Sequence, residues 1–351
     1  MIEKEPKIIL DQELIKLIAE IDEFKGKWQL LQNVFPDRLS ELRNVATIES
    51  IASSTRIEGS KLTDIEVETL LSNIQSTSFK SRDEQEVAGY AETMDTVFQA
   101  YKDMQITENY IRQLHQILLK HSSKDERHRG SYKTLDNHVV ARDKNGKEIG
   151  VMFETATPFD TPREMEELLH WVNKTISEKS MHPLLTVAVF TVIFLAIHPF
   201  QDGNGRLSRI LTTLMLLRMG YSYVPYSSLE RVVEDNKDLY YKALRRTQTT
   251  LKKDRVDWQP WIGFFLRCMK KQKDNLEKRI ESMYRHDDSS LPELSIRILE
   301  LFDKHERLTI AQIVKHTGAV QSTLKVRLRE LVNAGRIKRH GKARATWYSK
   351  S

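Results

Sequence analysis

A mainly α chain, with one β-hairpin in its middle and a small basic module at its C-terminus, is what three observations predict. Apolar residues recur with helical spacing over most of the 351 residues, and several runs open on a recognisable N-terminal cap. One pair of extended runs flanks an Asn-Gly turn. From Leu291 onward the order is helix, helix, turn, helix and two strands, and this segment holds 13 Lys and Arg against 5 Asp and Glu.

Residues 1–85 read as an N-terminal helical region. Asp11 to Ile21 carries Leu14, Ile15, Leu17, Ile18 and Ile21 on roughly one face. Ile48 to Ile57 is helix-like and ends at Glu58-Gly59, where glycine suits a C-cap. Thr63-Asp64-Ile65-Glu66 is a capping box opening a helix through Leu71. The main body, 86–283, starts inside a helix from Asp83 to about Lys102, and Thr107 caps the next, which carries Ile111, Leu114, Ile117 and Leu118. The hairpin pairs Asn137–Ala141 with Ile149–Phe153 around Asn145-Gly146. A lone hairpin is marginal in water, so it must lie against something. Thr161-Pro162-Arg163-Glu164 joins a capping box to a proline at the first helical position and opens a helix through Trp171. Leu184 to Ile197 is an apolar run of 14 residues, too short to span a bilayer and suited to a helix buried on all sides. Ser227-Ser228-Leu229-Glu230 is a further capping box, for a helix through Asn236.

A polar linker, Tyr284 to Ser290, leads into the last module, 291–351. Its helices cover Leu294–Phe302, Thr309–Lys315 and Ser322–Ala334, with a turn at His316-Thr317-Gly318-Ala319 and two strands around Gly341. This order resembles a winged helix-turn-helix. Lys325, Arg327 and Arg329 on the second helix of the motif, with Lys338, Arg339, Lys342 and Arg344 on the wing, suit phosphate contacts, which leaves DNA open as a partner. A packing or dimerisation module with a solvated basic face is the alternative.

Composition narrows the class. Hydrophobic residues make up 40% and aromatics 8%, ample for a core and contrary to disorder. Cys268 is alone, so neither a disulfide framework nor a thiolate metal cluster is available, and a reducing cytoplasm fits. Met1-Ile2-Glu3-Lys4-Glu5-Pro6 lacks the form of a signal peptide. The expectation is a soluble cytoplasmic protein without a membrane partner. The net charge of +6 comes entirely from the terminal module.

The most informative stretch is His198-Pro199-Phe200-Gln201-Asp202-Gly203-Asn204-Gly205-Arg206-Leu207-Ser208-Arg209. It follows the long apolar run and precedes another apolar segment, which reads as buried helix, loop, helix. Gly203-Asn204-Gly205 at the start of the second helix can turn backbone N–H groups toward one point, where the helix dipole favours an anion. Arg206 and Arg209, three apart, can share a face and reach successive phosphates. Asp202 is placed to hold a divalent cation beside them, and His198 is suited to be a general base. An EF-hand is excluded, because the other oxygen ligands of such a loop and its terminal Glu are missing.

This string resembles, position for position, the signature His-x-Phe-x-Asp/Glu-Gly-Asn-Gly-Arg-x-x-Arg of the Fic family of protein adenylyltransferases. The resemblance implies a helical Fic fold whose hairpin is a flap over the ATP site that holds the target by strand addition. Gly130-Ser131-Tyr132-Lys133 is similar to the family's Gly-x-aromatic-Arg, with Lys in place of Arg. It further implies that Asn236, Tyr240 and Tyr241 line an adenine pocket. Ser54-Thr55-Arg56-Ile57-Glu58-Gly59 matches the family's inhibitory pattern Ser/Thr-x-x-x-Glu-Gly/Asn, in which the glutamate pairs with the second signature arginine, here Arg209. An arginine so paired is not free for the γ-phosphate of ATP.

The resemblance therefore implies AMPylation: ATP is the substrate, Mg²⁺ the cofactor on Asp202, and a Ser, Thr or Tyr hydroxyl of a target protein, or of the chain itself, the acceptor. His198 would take the hydroxyl proton, Gly203, Asn204 and Gly205 cradle the α-phosphate, and Arg206 and Arg209 hold the β- and γ-phosphates. Two alternatives stay open. One keeps the fold and removes AMP from modified proteins, alone or alongside transfer. The other is a DNA-binding regulator whose Fic core senses nucleotide. Whether the chain forms a homodimer is also open.

Overall fold

The computed structural model describes residues 6–31, 36–73, 79, 81–137, 139–142, 148–285, 291–341 and 346–351. They fall into two compact units, Met1–Phe35 with Ala46–Lys273 and Pro36–Val45 with Asp274–Ser351. As the sequence predicts, helices dominate.

The first unit contains α1 (Gln12–Leu31), the later part of α2 (Pro36–Ile57), α3 (Asp64–Ser72), α4 (Arg82–Ala100) and α5 (Glu108–Leu118). A hairpin of β1 (Val139–Arg142) and β2 (Glu148–Phe153) follows, then α6 (Thr161–Glu178), α7 (Pro183–Ile197) and α8 (Asn204–Arg218). Next come α9 (Leu229–Asp235), α10 (Lys237–Gln248) and the first part of α11 (Gln259–Arg285).

The centre of this unit is α7. Pro183 sits in its first turn and every residue from Leu184 to Ile197 is buried. It packs against α6 and α8, and its two polar residues are satisfied from within. The Thr186 hydroxyl donates to His182 O at 3.2 Å, and that of Thr191 lies 2.9 Å from the Thr212 hydroxyl on α8. Trp261 on α11 donates its indole N–H to Ala188 O at 2.7 Å. Where α4 crosses α5, a Cβ at Gly89 would lie 2.0 Å from Leu118 O. Only glycine permits that approach, although it weakens an isolated helix by roughly 0.5–1 kcal/mol.

Caps explain most helix starts. Thr63 closes a capping box with Glu66, as the sequence predicts, Ser81 closes another with Glu84, and Thr107 caps α5 through Tyr110 N. Two predicted boxes differ. The N-cap of α6 is Asp160, without a side-chain cap bond, because the Thr161 hydroxyl donates instead to Thr157 O at 2.7 Å. Ser228 rather than Ser227 caps α9, accepting from Arg231 N at 2.9 Å. The register therefore falls one residue later and Glu230 is a buried side chain instead of the closing member of a box.

In the hairpin β1 and β2 run antiparallel, with Val140 opposite Val151 and Ala141 opposite Gly150. The predicted Asn145-Gly146 turn lies outside the described residues. So does most of the predicted linker, 286–290.

The second unit contains α12 (Glu293–Lys304), β3 (Leu308–Thr309), α13 (Ile310–Thr317), α14 (Gln321–Asn333), β4 (Ile337–His340) and β5 (Trp347–Lys350). The sheet order is β3-β5-β4, antiparallel throughout. Gly318, at φ +66°, turns α13 toward α14. Ile298, Phe302, Ile313, Leu324, Leu328 and Tyr348 are among the residues of a core of its own. This is a winged helix. Its two-residue β3 is too short to leave a sequence pattern. Among the described residues no helix is long and apolar enough to cross a membrane.

Candidate active site around residues 198 to 209

The loop between α7 and α8 is set by backbone geometry at both ends. His198 closes α7 in the left-handed region at φ +53°, a conformation few non-glycine residues adopt and one that occurs with excess frequency at functional sites. Gly203, at φ +80°, is the N-cap of α8. Between them Asn204 is buried and clamps the turn, accepting from Phe200 N at 2.9 Å and donating to Phe200 O at 2.6 Å. Its amide thus shapes the loop, and what it offers an incoming anion is its backbone N–H at the helix start.

Three residues outside the signature hold this loop from beneath. His115 on α5 stacks on Phe200 with ring centroids 3.8 Å apart. Its Nδ1 accepts from Gly130 N at 2.9 Å, which leaves the proton on Nε2 to donate to Asp202 O at 3.0 Å. Burial, more than any charge near it, pushes this imidazole down to about 4. Asn137 donates to Phe200 O at 2.5 Å and His198 O at 3.2 Å, and its own oxygen accepts from Lys133 Nζ at 2.7 Å. Lys133, buried, also donates to Ile197 O and to Thr155 Oγ1, each at 3.0 Å. Burial lowers that ammonium to about 8. The position where Lys replaces Arg is therefore a strut under the loop.

The reactive side chains stand above this platform. The Nδ1 of His198 faces Leu195 O at 3.3 Å, so Nδ1 carries the proton and Nε2 keeps its lone pair. Burial first, and then the Lys133 charge, pushes His198 down to about 4, so it is neutral near pH 7. Asp202 accepts from Gly203 N at 2.5 Å and Arg206 Nη2 at 3.2 Å with one oxygen, and from Arg82 Nη2 at 3.0 Å with the other. Arg206, 2% exposed, also pairs with Glu86 at 3.3 Å, and its Nε has no hydrogen-bond partner among the described residues.

Arg209 reaches the other way. It donates from Nε to Ser54 Oγ at 2.8 Å, and from Nη2 to Ser54 O at 2.9 Å and to Glu58 Oε1 at 2.8 Å. Burial opposes ionisation of Glu58, but the Arg209 charge and hydrogen bond prevail and hold its carboxyl below the usual value. A Cβ on Gly205 would lie 2.1 Å from Glu58 Oε1, so the carboxylate rests against the opening turn of α8. Gly59, at φ +110°, supplies the turn after Glu58.

One cleft, with a cavity volume of about 200 Å³, gathers these groups. Glu58, His198, Asp202, Gly203, Asn204, Gly205, Arg206, Tyr240 and Tyr241 line it. Ser54 and Arg209 stand behind Glu58. Asn236 is absent from the wall: it joins α9 to α10, and its amide donates to Val232 O at 2.8 Å. Tyr240 serves core and cleft together, with Trp261 and Phe264 rings 5.9 Å away. Sequence reasoning missed Phe153, Leu244, Arg245 and Gln248 on the same wall. The last three lie three, four and seven residues after Tyr241, so helical spacing from the two tyrosines was the available signal.

Residues 105–216 match the model of the Fic/DOC family, and residues 291–338 match the model described as winged helix-turn-helix DNA-binding. Residues 105–216 are thus similar to a Fic domain. Curated relatives include the protein adenylyltransferase Fic of Drosophila grimshawi, 27% identical over 67% of this chain and 44% of the relative. That of Drosophila virilis is 26% identical over 79% of this chain and 50% of the relative. The chain spans about half the length of these relatives. Among solved structures, a Fic family protein from Desulfovibrio desulfuricans aligns over 99% of this chain and 98% of its own, with a TM-score of 0.63 at 22% identity. A Fic-domain signaling protein from Bacteroides thetaiotaomicron covers 75% of this chain and 97% of its own, with a TM-score of 0.61 at 23% identity. At these identities the structures speak for the Fic fold alone.

Proposed function

We propose that this Fic protein transfers AMP from ATP to a hydroxyl of a target protein, or of itself, and that Glu58 restrains the reaction. The observation that carries the reading is His198, its Nδ1 turned to Leu195 O, on the wall of one cleft with Asp202 and the N-terminal turn of α8. The relatives' name, protein adenylyltransferase, supports the same chemistry. His198 Nε2 takes the hydroxyl proton as the oxygen attacks the α-phosphorus. The bond from that phosphorus to the α,β-bridging oxygen breaks, and pyrophosphate leaves. The backbone N–H groups of Asn204 and Gly205 at the start of α8 face the charge that builds on the α-phosphate, that of Gly203 being taken by Asp202. Tyr241, Leu244 and Gln248 offer the base an aromatic face, an apolar contact and an amide.

Magnesium fits here through Asp202. Among the described residues no group of three or more metal-ligating side chains converges, and Mg²⁺ bound with nucleotide needs only one or two carboxylates plus phosphate oxygens. Asp202 would hold it, sharing its oxygens with Arg82 and Arg206, and the ion supplies charge neutralisation for the phosphates when bound. Asp202→Ala is expected to lower label transfer from α-labelled ATP by roughly 10²-fold or more at any Mg²⁺ concentration, with the melting temperature within a few degrees of wild type. Activity restored by excess Mg²⁺ would mean that the ion is held elsewhere.

A second reading, removal of AMP, is favoured by one feature: Glu58 stays ionised on the cleft wall and could orient a water. Incubation with AMP-modified protein separates the two.

The winged helix supports DNA as a further partner. Lys325, Arg329, Lys338 and Arg339 are exposed, whereas Arg327 is tied to Glu330 at 2.7 Å, and Lys342 and Arg344 lie outside the described residues. Affinity for duplex DNA should fall steeply with salt, and Lys325→Ala with Arg329→Ala should flatten the logarithmic slope by roughly 0.9 for each phosphate no longer neutralised. A gel shift indifferent to salt, or no shift at low salt, would assign the module to protein contacts.

A further inference from the structure

Glu58 itself follows the last residue of α2, in a turn, and something else has to aim it. Arg56 lies two residues before it, with a side chain 18% exposed. Its Nε and Nη2 grip both oxygens of Glu234 on α9, at 2.6 and 2.9 Å. Its Nη1 donates to Leu62 O at 3.0 Å and pairs with Asp64, the first residue of α3, at 2.9 Å. Arg231 closes the ring, pairing with the same Asp64 and with Glu234 at 3.3 Å. The carbonyls of Arg56 and Ile57 accept in addition from Lys237 Nζ at 3.4 Å and from Tyr241 Oη at 3.5 Å.

We propose that Arg56, through its fork on Glu234, is a positioning residue that sets how firmly Glu58 engages Arg209, and so how strongly the site is restrained. This deepens the reading of Glu58 as a restraint and rests on it. Two arginines and two carboxylates balance in charge, and a planar guanidinium held at both oxygens of one carboxylate fixes direction as well as distance. Arg56 does not line the cleft, so its influence on the reaction runs through the helix end. Tyr241 is the exception in the set, since its ring lines the cleft while its hydroxyl holds Ile57.

The test uses the full chain with ATP, Mg²⁺ and two readouts, hydrogen exchange of amides 54–59 and label transfer from α-labelled ATP. Arg56→Ala is the direct variant, and Glu234→Gln, which keeps shape and removes charge, serves if the first folds poorly. Each is expected to speed exchange at 54–59 by about tenfold. Each should also raise the initial rate of transfer several-fold with little change in KM for ATP, and add less than about twofold in a Glu58→Gly background. Unchanged exchange in both variants overturns the proposal. So does a rate gain that multiplies with that of Glu58→Gly, because the effect would then not pass through Glu58. Faster exchange with a Glu58→Gly variant no more active than wild type keeps Arg56 as the aiming residue and removes the restraint itself.

Discussion

His198→Ala is expected to reduce transfer of label from α-labelled ATP by roughly 10²–10⁴-fold, the usual contribution of a positioned general base. The loss should fall on kcat, since in the proposed reaction the imidazole acts on the attacking hydroxyl and not on the phosphates. Stability should change little. Alanine pays only a somewhat larger backbone penalty than histidine at φ +53°, and the imidazole makes one weak hydrogen bond, 3.3 Å from Leu195 O. The same label placed on the γ-phosphate should stay in solution with wild-type protein. Its appearance on protein would replace AMP transfer with phosphate transfer.

The second large effect is opposite in sign at the two ends of one ion pair. Glu58→Gly should raise label transfer by tenfold or more, because a freed Arg209 can meet the γ-phosphate and correct alignment is worth at least that much. Arg209→Ala should be inactive, and adding Glu58→Gly should not rescue it. The Arg209 side chain is 8% exposed and that of Glu58 33%, so loss of the carboxylate should cost about 1–3 kcal/mol, between the values for surface and buried pairs. ATP at about 100 times its Kd would return some 2.7 kcal/mol, so melting temperatures with and without nucleotide distinguish the variants. The pH dependence follows from the lowered Glu58 value. Its stabilisation is complete above the ordinary carboxylate range and is lost as pH falls through the depressed value, so wild type and Glu58→Gly should converge in acid. Equal activity of wild type and Glu58→Gly at every ATP concentration would end the restraint reading.

What could be read in advance tracks how local each signal is. The signature lies in twelve consecutive residues, and the helices on either side of it announce themselves by apolar runs, so loop, glycine turn and helix start were all legible. The winged helix was legible because its helical spacing and its turn glycine are local too. His115, Asn137, Thr155 and Arg82 were not. Each is a single polar residue far along the chain from the loop it serves, and nothing in its neighbours marks it. The misplaced caps have a different cause. Ser227 and Ser228 are equally good caps one residue apart, and Thr161 competes between capping α6 and bonding Thr157, so tertiary packing chooses. Asn236 shows the limit of transferring a role by position, since a helix junction consumed its amide.

The close approach of Glu58 to Gly205 has a consequence for how such a protein can be tuned. A side chain of the chain itself rests against the anion-favouring end of α8, so a Glu58 that restrains the site as proposed acts as a tethered ligand. A tethered ligand competes through its effective concentration, which for short linkers reaches roughly the millimolar range and depends on the stiffness of the tether. On that proposal, nucleotide contends with a local concentration rather than with a fixed barrier. Whatever stiffens or slackens the few residues before Glu58 moves that concentration continuously, without altering any group that touches ATP.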